Sequence, residues 1–204
     1  MARLALLLLF CCRLHALNIV VLGDSVAHGA GDESGLGGIA GRLGAINAAI
    51  NGSRTWQVDV VIARAAVRSA LEKADAIVVS IGGNDLFGDR RAQWLSMLAP
   101  RLLMDVTLDR MERIVARLHR VNARARVVLV GLYNPYGPAF GKYVALWDSK
   151  LLARFADDRR VTVVRIADLF TDHRERISPL DHFHPAAEGY ALIARRIQEG
   201  LPRG

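Results

Sequence analysis

The chain has 204 residues, 52% of them apolar, a formal net charge of +7 and two cysteines. That length fits one domain around one sizeable core, and there is no internal repeat and no Ser/Pro/Gly-rich run to serve as a linker. The basic residues, almost all Arg, are scattered through helical segments as solvated faces, so no nucleic-acid partner is expected, while attraction to an anionic membrane surface or to acidic substrates stays open.

Residues 1–16 have signal-peptide order: a positive start at Arg3, an apolar run over 4–12, then Arg13 and His15 before Ala16. The run is too short for a bilayer span, which needs about 20 residues. Cleavage after Ala16 and export are expected, although Leu14 occupies a position where a small residue is usual; the alternative is an uncleaved, packed N-terminus. Cys11 and Cys12 are adjacent, so no structural disulfide joins them, and Phe10 before the pair argues against lipid attachment. No Cys/His cluster has metal-ligand spacing, and no metal or cofactor is expected.

From residue 18 onward, short β-branched runs alternate with segments of helical period. Strands are expected over 19–22, 46–50, 76–81, 126–132 and 161–166. Helices are expected over 55–73, begun by Ser53 or Arg54, and over 108–122, 142–156 and 186–199, with Pro185 in the first turn of the last. This rhythm predicts an α/β fold of the three-layer, flavodoxin-like type, a five-stranded parallel sheet with right-handed crossovers. In such sheets ligands bind beyond the carboxyl ends of the strands. Four polar clusters fall there: Gly23-Asp24-Ser25, Asn51-Gly52-Ser53, Gly82-Gly83-Asn84-Asp85 and Asp181-His182-Phe183-His184-Pro185.

Acyl transfer needs a nucleophile, a base, an orienter for the base, and donors for the oxyanion. Ser25 at a strand-to-helix turn suits the nucleophile, with its own N–H as one donor. Gly52 can bring a second N–H close, and the Asn84 amide supplies a third. His184 would take the Ser25 proton, and Asp181 would hold the other ring nitrogen and fix the tautomer. The absence of a G-x-S-x-G elbow disfavours the α/β-hydrolase fold. Each cluster alone has a plainer reading: Ser25 as a cap, Gly82-Gly83 as a tight turn, Asn84-Asp85 as a capping pair, Asp181 and His184 as a surface turn. Four in order, each after a strand, outweigh those readings. His182 is the rival base and is placed at the surface or a pocket rim; His28, His119 and His173 are read as incidental. Gly29-Ala30-Gly31 lacks a correctly placed third glycine for a dinucleotide fingerprint. Tyr133, Asn134, Pro135, Tyr136, Phe87 and Trp94 are candidates to line an acyl or aryl pocket, or ordinary core aromatics.

GDS at 23–25, the isolated Gly52, GGND at 82–85 and D-x-x-H-P at 181–185 together resemble the SGNH, or GDSL-type, hydrolases over nearly the whole chain after the N-terminal segment. The resemblance implies Ser25, Gly52, Asn84 and His184 as the name-giving quartet, with Asp181 completing the triad. The early GDS looks most like small bacterial thioesterase, lysophospholipase and arylesterase members, and the stretch 29–41 like a lipase-like subgroup. Val26 and Ala27 depart from the usual residues after the serine without removing a catalytic group. The expected activity is hydrolysis of a small-molecule acyl ester or thioester, with lipid contact open. The alternative is a catalytically silent module of the same fold that binds an acylated or glycan ligand.

Overall fold

The computed structural model describes residues 17–201; the expected signal peptide, residues 1–16, lies outside them. Five strands, β1 (Ile19–Gly23), β2 (Ile46–Asn47), β3 (Ala76–Ser80), β4 (Arg126–Val130) and β5 (Val161–Val164), form one parallel sheet in the order β2-β1-β3-β4-β5. The helices are α1 (Ser25–His28), α2 (Gly38–Leu43), α3 (Thr55–Ala63), α4 (Ala65–Glu72), α5 (Gly83–Phe87), α6 (Arg90–Leu98), α7 (Pro100–Val121), α8 (Pro138–Arg154) and α9 (Ala187–Gly200).

Successive strand side chains point to opposite faces, and here both faces are covered. Val20, Leu22, Ile77, Val79, Val127 and Leu129 pack with residues of α3, α4, α7 and α8, among them Ile62, Leu71, Leu118 and Trp147. Ile19, Val21, Ala76, Val78, Val128 and Val130 pack on the other face with Ile39 of α2 and Tyr190, Ile193 and Ile197 of α9. Each fully buried aliphatic side chain contributes roughly 1.5–3 kcal/mol relative to exposure. This two-sided core explains why the strands read as continuous apolar runs. It also fixes the three-layer α/β architecture.

The second strand is shorter than its pattern suggests. The regular ladder ends at Asn47, yet the Ala48 and Ile50 N–H groups still donate to Val21 and Gly23 carbonyls at 2.9 and 3.0 Å. The single helix expected over 55–73 is broken at Arg64, whose ψ of 129° is extended. α7 and α8 begin earlier than expected because Pro100 and Pro138 start them, where the missing N–H costs nothing. Pro185, in contrast, precedes the Ala186 cap of α9 and sits in an isolated antiparallel bridge with Ile177.

Candidate active site

β1 delivers the nucleophile candidate. At Gly23, φ is +141°, and a Cβ there would lie 1.8 Å from the Ser80 carbonyl oxygen, so only glycine lets β1 turn this close to β3. Asp24 then caps α1, its carboxylate accepting from the Val26 N–H at 3.0 Å. Ser25 occupies the first helical position, where its own N–H has no helical acceptor. Burial pushes the Asp24 carboxyl up from 3.8 to about 7, the Val26 N–H opposing and nearby Asp85 adding to the rise.

Ser25 Oγ lies 2.8 Å from His184 Nε2, and His184 Nδ1 lies 2.6 Å from Asp181 Oδ2. The other Asp181 oxygen accepts the backbone N–H groups of Phe183 and His184, both at 2.9 Å. Burial raises the Asp181 pKa, but the His184 side chain and those two N–H groups outweigh it, and the net shift is downward. A carboxylate only accepts, so Nδ1 carries the ring proton and Nε2 is left to accept from Ser25.

The turn carrying His184 is fastened on several sides. Ser178 N–H donates to the His184 carbonyl at 2.8 Å, and the Tyr133 hydroxyl donates to the Phe183 carbonyl at 2.7 Å. His182 takes a left-handed φ of +56° in this turn; it is exposed and lies outside the cavity lining, while its neighbour His184 meets Ser25. Behind His184 stands Gly31, φ +82°, whose hypothetical Cβ would be 2.7 Å from the His184 Cβ. Sequence reasoning weighed Gly31 as part of a glycine pattern and missed this steric role. Among the remaining histidines, His28 meets the Ala49 carbonyl, His119 lies beside Asp158 and His173 beside Glu175.

Asn84, in the first turn of α5, lines the same cavity as Ser25 and donates to the Ser53 carbonyl at 3.0 Å. One amide hydrogen is thereby used, and the other remains. Asp85 does not cap its own helix as a capping pair would; buried, it accepts from Thr55 N–H and Oγ1 at 2.8 and 2.7 Å and fastens α5 to the start of α3. Gly52 sits in the exposed turn one residue before Ser53 and is not part of the cavity wall. Its φ of +76° calls for glycine, whereas a Cβ there would meet nothing within 4 Å, so close approach is not what selects it. Its N–H has no acceptor among the described residues.

The cavity beside Ser25 is small, about 80 Å³. Of the candidates for a pocket wall, Phe87, Tyr133, Pro135 and Tyr136 line it. Asn134 instead closes its own loop, donating to the Gly137 carbonyl and accepting from Tyr136 N–H, and Trp94 is exposed on α6. Phe140 and Phe183, unassigned from sequence, complete the wall: Phe140 meets Phe87 edge-on at 4.8 Å and Tyr136 at 5.2 Å, and Tyr136 meets Phe183 at 5.7 Å.

Among solved structures, the fold is similar to the lipase Lip_vut3 from goat rumen metagenome, with TM-score 0.74, 19% identity and coverage of 92% of this chain and 99% of that one. It is also similar to an extracellular lipase from Streptomyces rimosus, with TM-score 0.66, 16% identity and coverage of 91% and 100%. The acetylxylan esterase Axe2 from Geobacillus stearothermophilus matches with TM-score 0.64, 16% identity and coverage of 92% and 95%. In sequence, the chain is 28% identical over 212 aligned positions to the uncharacterized protein YpmR of Bacillus subtilis (strain 168), covering 91% of this chain and 83% of that protein. The profile of the GDSL-like Lipase/Acylhydrolase family matches residues 21–192, and the chain belongs to that family.

Proposed function

We propose that the protein is a serine hydrolase of carboxylic esters with an apolar acyl group. The observation that carries this reading is the unbroken hydrogen-bond chain from Ser25 Oγ through His184 to Asp181. In the first step Ser25 Oγ attacks the acyl carbonyl as its proton passes to His184 Nε2. The carbonyl oxygen becomes an oxyanion that receives the Ser25 N–H and the free hydrogen of the Asn84 amide; the Gly52 N–H, outside the cavity wall but unpaired among the described residues in the turn that Ser53 ties to Asn84, is the candidate third donor. His184 returns the proton to the departing alkoxide, leaving an acyl-serine; a water attacks in the same way and regenerates the serine. Asp181 stays ionised throughout and holds the imidazole in one tautomer.

The wall of Phe87, Tyr136 and Phe140 offers an apolar acyl chain a surface to bury against. Thioesters, aryl esters and lysophospholipids all present the same acyl carbonyl and differ in the leaving group. A panel of nitrophenyl esters from acetyl to decanoyl tests the reading together with fluorophosphonate labelling. Turnover and labelling are both expected in the wild type and both lost in Ser25→Ala. Folded protein that neither turns over any ester nor takes the label would instead be a binding module.

A further inference from the structure

α6 is built against the usual rule for a surface helix, which turns its large apolar side chains to the core. Its buried residues are the small Ala92 and Ser96. Trp94, Met97 and Leu98 are 61%, 71% and 70% exposed, and Leu95 is exposed beside them. Exposed apolar side chains continue across the Ala99 joint into α7 with Leu102 and Val106. Six large apolar side chains exposed within thirteen positions exceed the scattered apolar residues of an ordinary surface and mark an interaction face.

We propose that this face of α6 and the start of α7 docks the protein on a bilayer surface bearing anionic phospholipids. Charge selects that occupant. Arg90 and Arg91 precede the apolar residues of α6 and Arg101 follows them, all three exposed and outside any ion pair among the described residues; no acidic residue lies between Arg90 and Arg101, and the nearest carboxylates, Asp89 and Asp105, are paired with Arg54 and with Lys150 and Arg154. Apolar residues with a tryptophan, flanked by arginines, match the boundary between headgroups and acyl chains. A second copy of the same face would set these arginines against their own counterparts, which disfavours a symmetric dimer. Position supports the assignment. The Gln93 side chain of α6 donates to the Phe87 carbonyl at 3.1 Å, so the docking helix adjoins the aromatic wall of the cavity beside Ser25.

The test reads lipid contact, not turnover, so it stands or falls apart from the ester-hydrolase assignment. In full-length Trp56→Phe protein, the remaining tryptophans are exposed Trp94 and fully buried Trp147. Vesicles of phosphatidylglycerol and phosphatidylcholine with brominated acyl chains should quench the emission and shift it to the blue. Replacing Arg90, Arg91 and Arg101 together by Gln should weaken binding about a hundredfold, as expected for three surface-proximal arginines, and pure phosphatidylcholine should bind comparably weakly. Trp94→Ser, Met97→Ser and Leu98→Ser combined should abolish binding; the arginine variant keeps the test valid if that protein does not fold. Vesicle binding without quenching, or binding indifferent to both the arginines and the lipid charge, would overturn the proposal. So would a wild-type dimer that the triple serine variant converts to monomer, since a second copy would then cover the face.

Discussion

Gly31 and Gly37 have nearly the same φ, +82° and +81°, but different surroundings. Replacing either with Ala forces a side chain into the left-handed region, at about 1–2 kcal/mol. At Gly37 the new Cβ meets nothing within 4 Å; at Gly31 it meets the His184 Cβ at 2.7 Å, where ordinary contact begins at 3.4 Å. About 0.7 Å of movement is therefore needed at Gly31. The loop resists that movement. The Tyr190 hydroxyl donates to the Ala30 carbonyl at 2.7 Å, and Asp32 is held by Arg42 at 2.5 Å and by Gly38 N–H at 2.7 Å. His184 must yield, and its 2.8 Å bond to Ser25 would stretch to about 3.5 Å, beyond a good hydrogen bond. Since a misplacement of about 1 Å costs around a hundredfold in rate, Gly31→Ala should lower kcat by roughly ten- to a hundredfold. Gly37→Ala should lose comparable stability and keep kcat. The assay is ester turnover paired with thermal unfolding of both variants. Equal kcat in the two would refute the steric role of Gly31.

Asn84→Ala should lower kcat by roughly a hundred- to a thousandfold with little change in KM, because the oxyanion carries its full charge only in the tetrahedral intermediate; a raised KM with kcat spared would make Asn84 a substrate contact. Asp181→Asn should lower kcat by about 10⁴-fold without unfolding the protein, since an amide can donate to Nδ1 and stabilise the wrong tautomer; steady-state kinetics and circular dichroism together check this. Asp24, pushed up to about 7 by burial, holds its proton in the folded chain at pH values where the unfolded chain has lost it. Its contribution to stability therefore falls as pH rises from about 4 to 7 and is level above, by an amount on the order of 4 kcal/mol. Asp24→Asn should remove that decline, so the difference in unfolding free energy between variant and wild type should shift in the variant's favour across this window in denaturant titrations; a pH-independent difference would mean that the carboxyl titrates normally.

The parallel sheet was legible because both of its faces are buried, which gives β1, β3 and β4 continuous apolar runs rich in Val and Ile. The polar residues of the site were legible for a related reason: such a sheet collects chemistry at the carboxyl ends of its strands, so Ser25 and Asn84 announce themselves by following β1 and β3. What could not be read locally was the wall. Phe140 meets Phe87, and Phe183 meets Tyr136, only after the chain has folded across more than forty residues. Gly31 supports His184 across more than a hundred and fifty. No spacing rule connects such positions. The helix ends at Pro100 and Pro138 were hidden differently, since neither has a side-chain cap to mark its start. α1 and α5 are too short to display a period.

α6 escaped detection for a reason of its own. Helical periodicity is recognised from a stripe of large apolar residues that the core will bury, and in α6 the core receives Ala92 and Ser96 while Trp94, Met97 and Leu98 face outward. Trp94, left open between a pocket wall and an ordinary core aromatic, takes neither place and faces outward instead. Local rules break most often where a segment serves something other than its own core. Here the same inversion that hid the helix also leaves its apolar side chains and the flanking Arg90, Arg91 and Arg101 available to a lipid surface. Exchanging the two sets, with large residues inward at 92 and 96 and small ones outward, would make a better surface helix and remove the docking face.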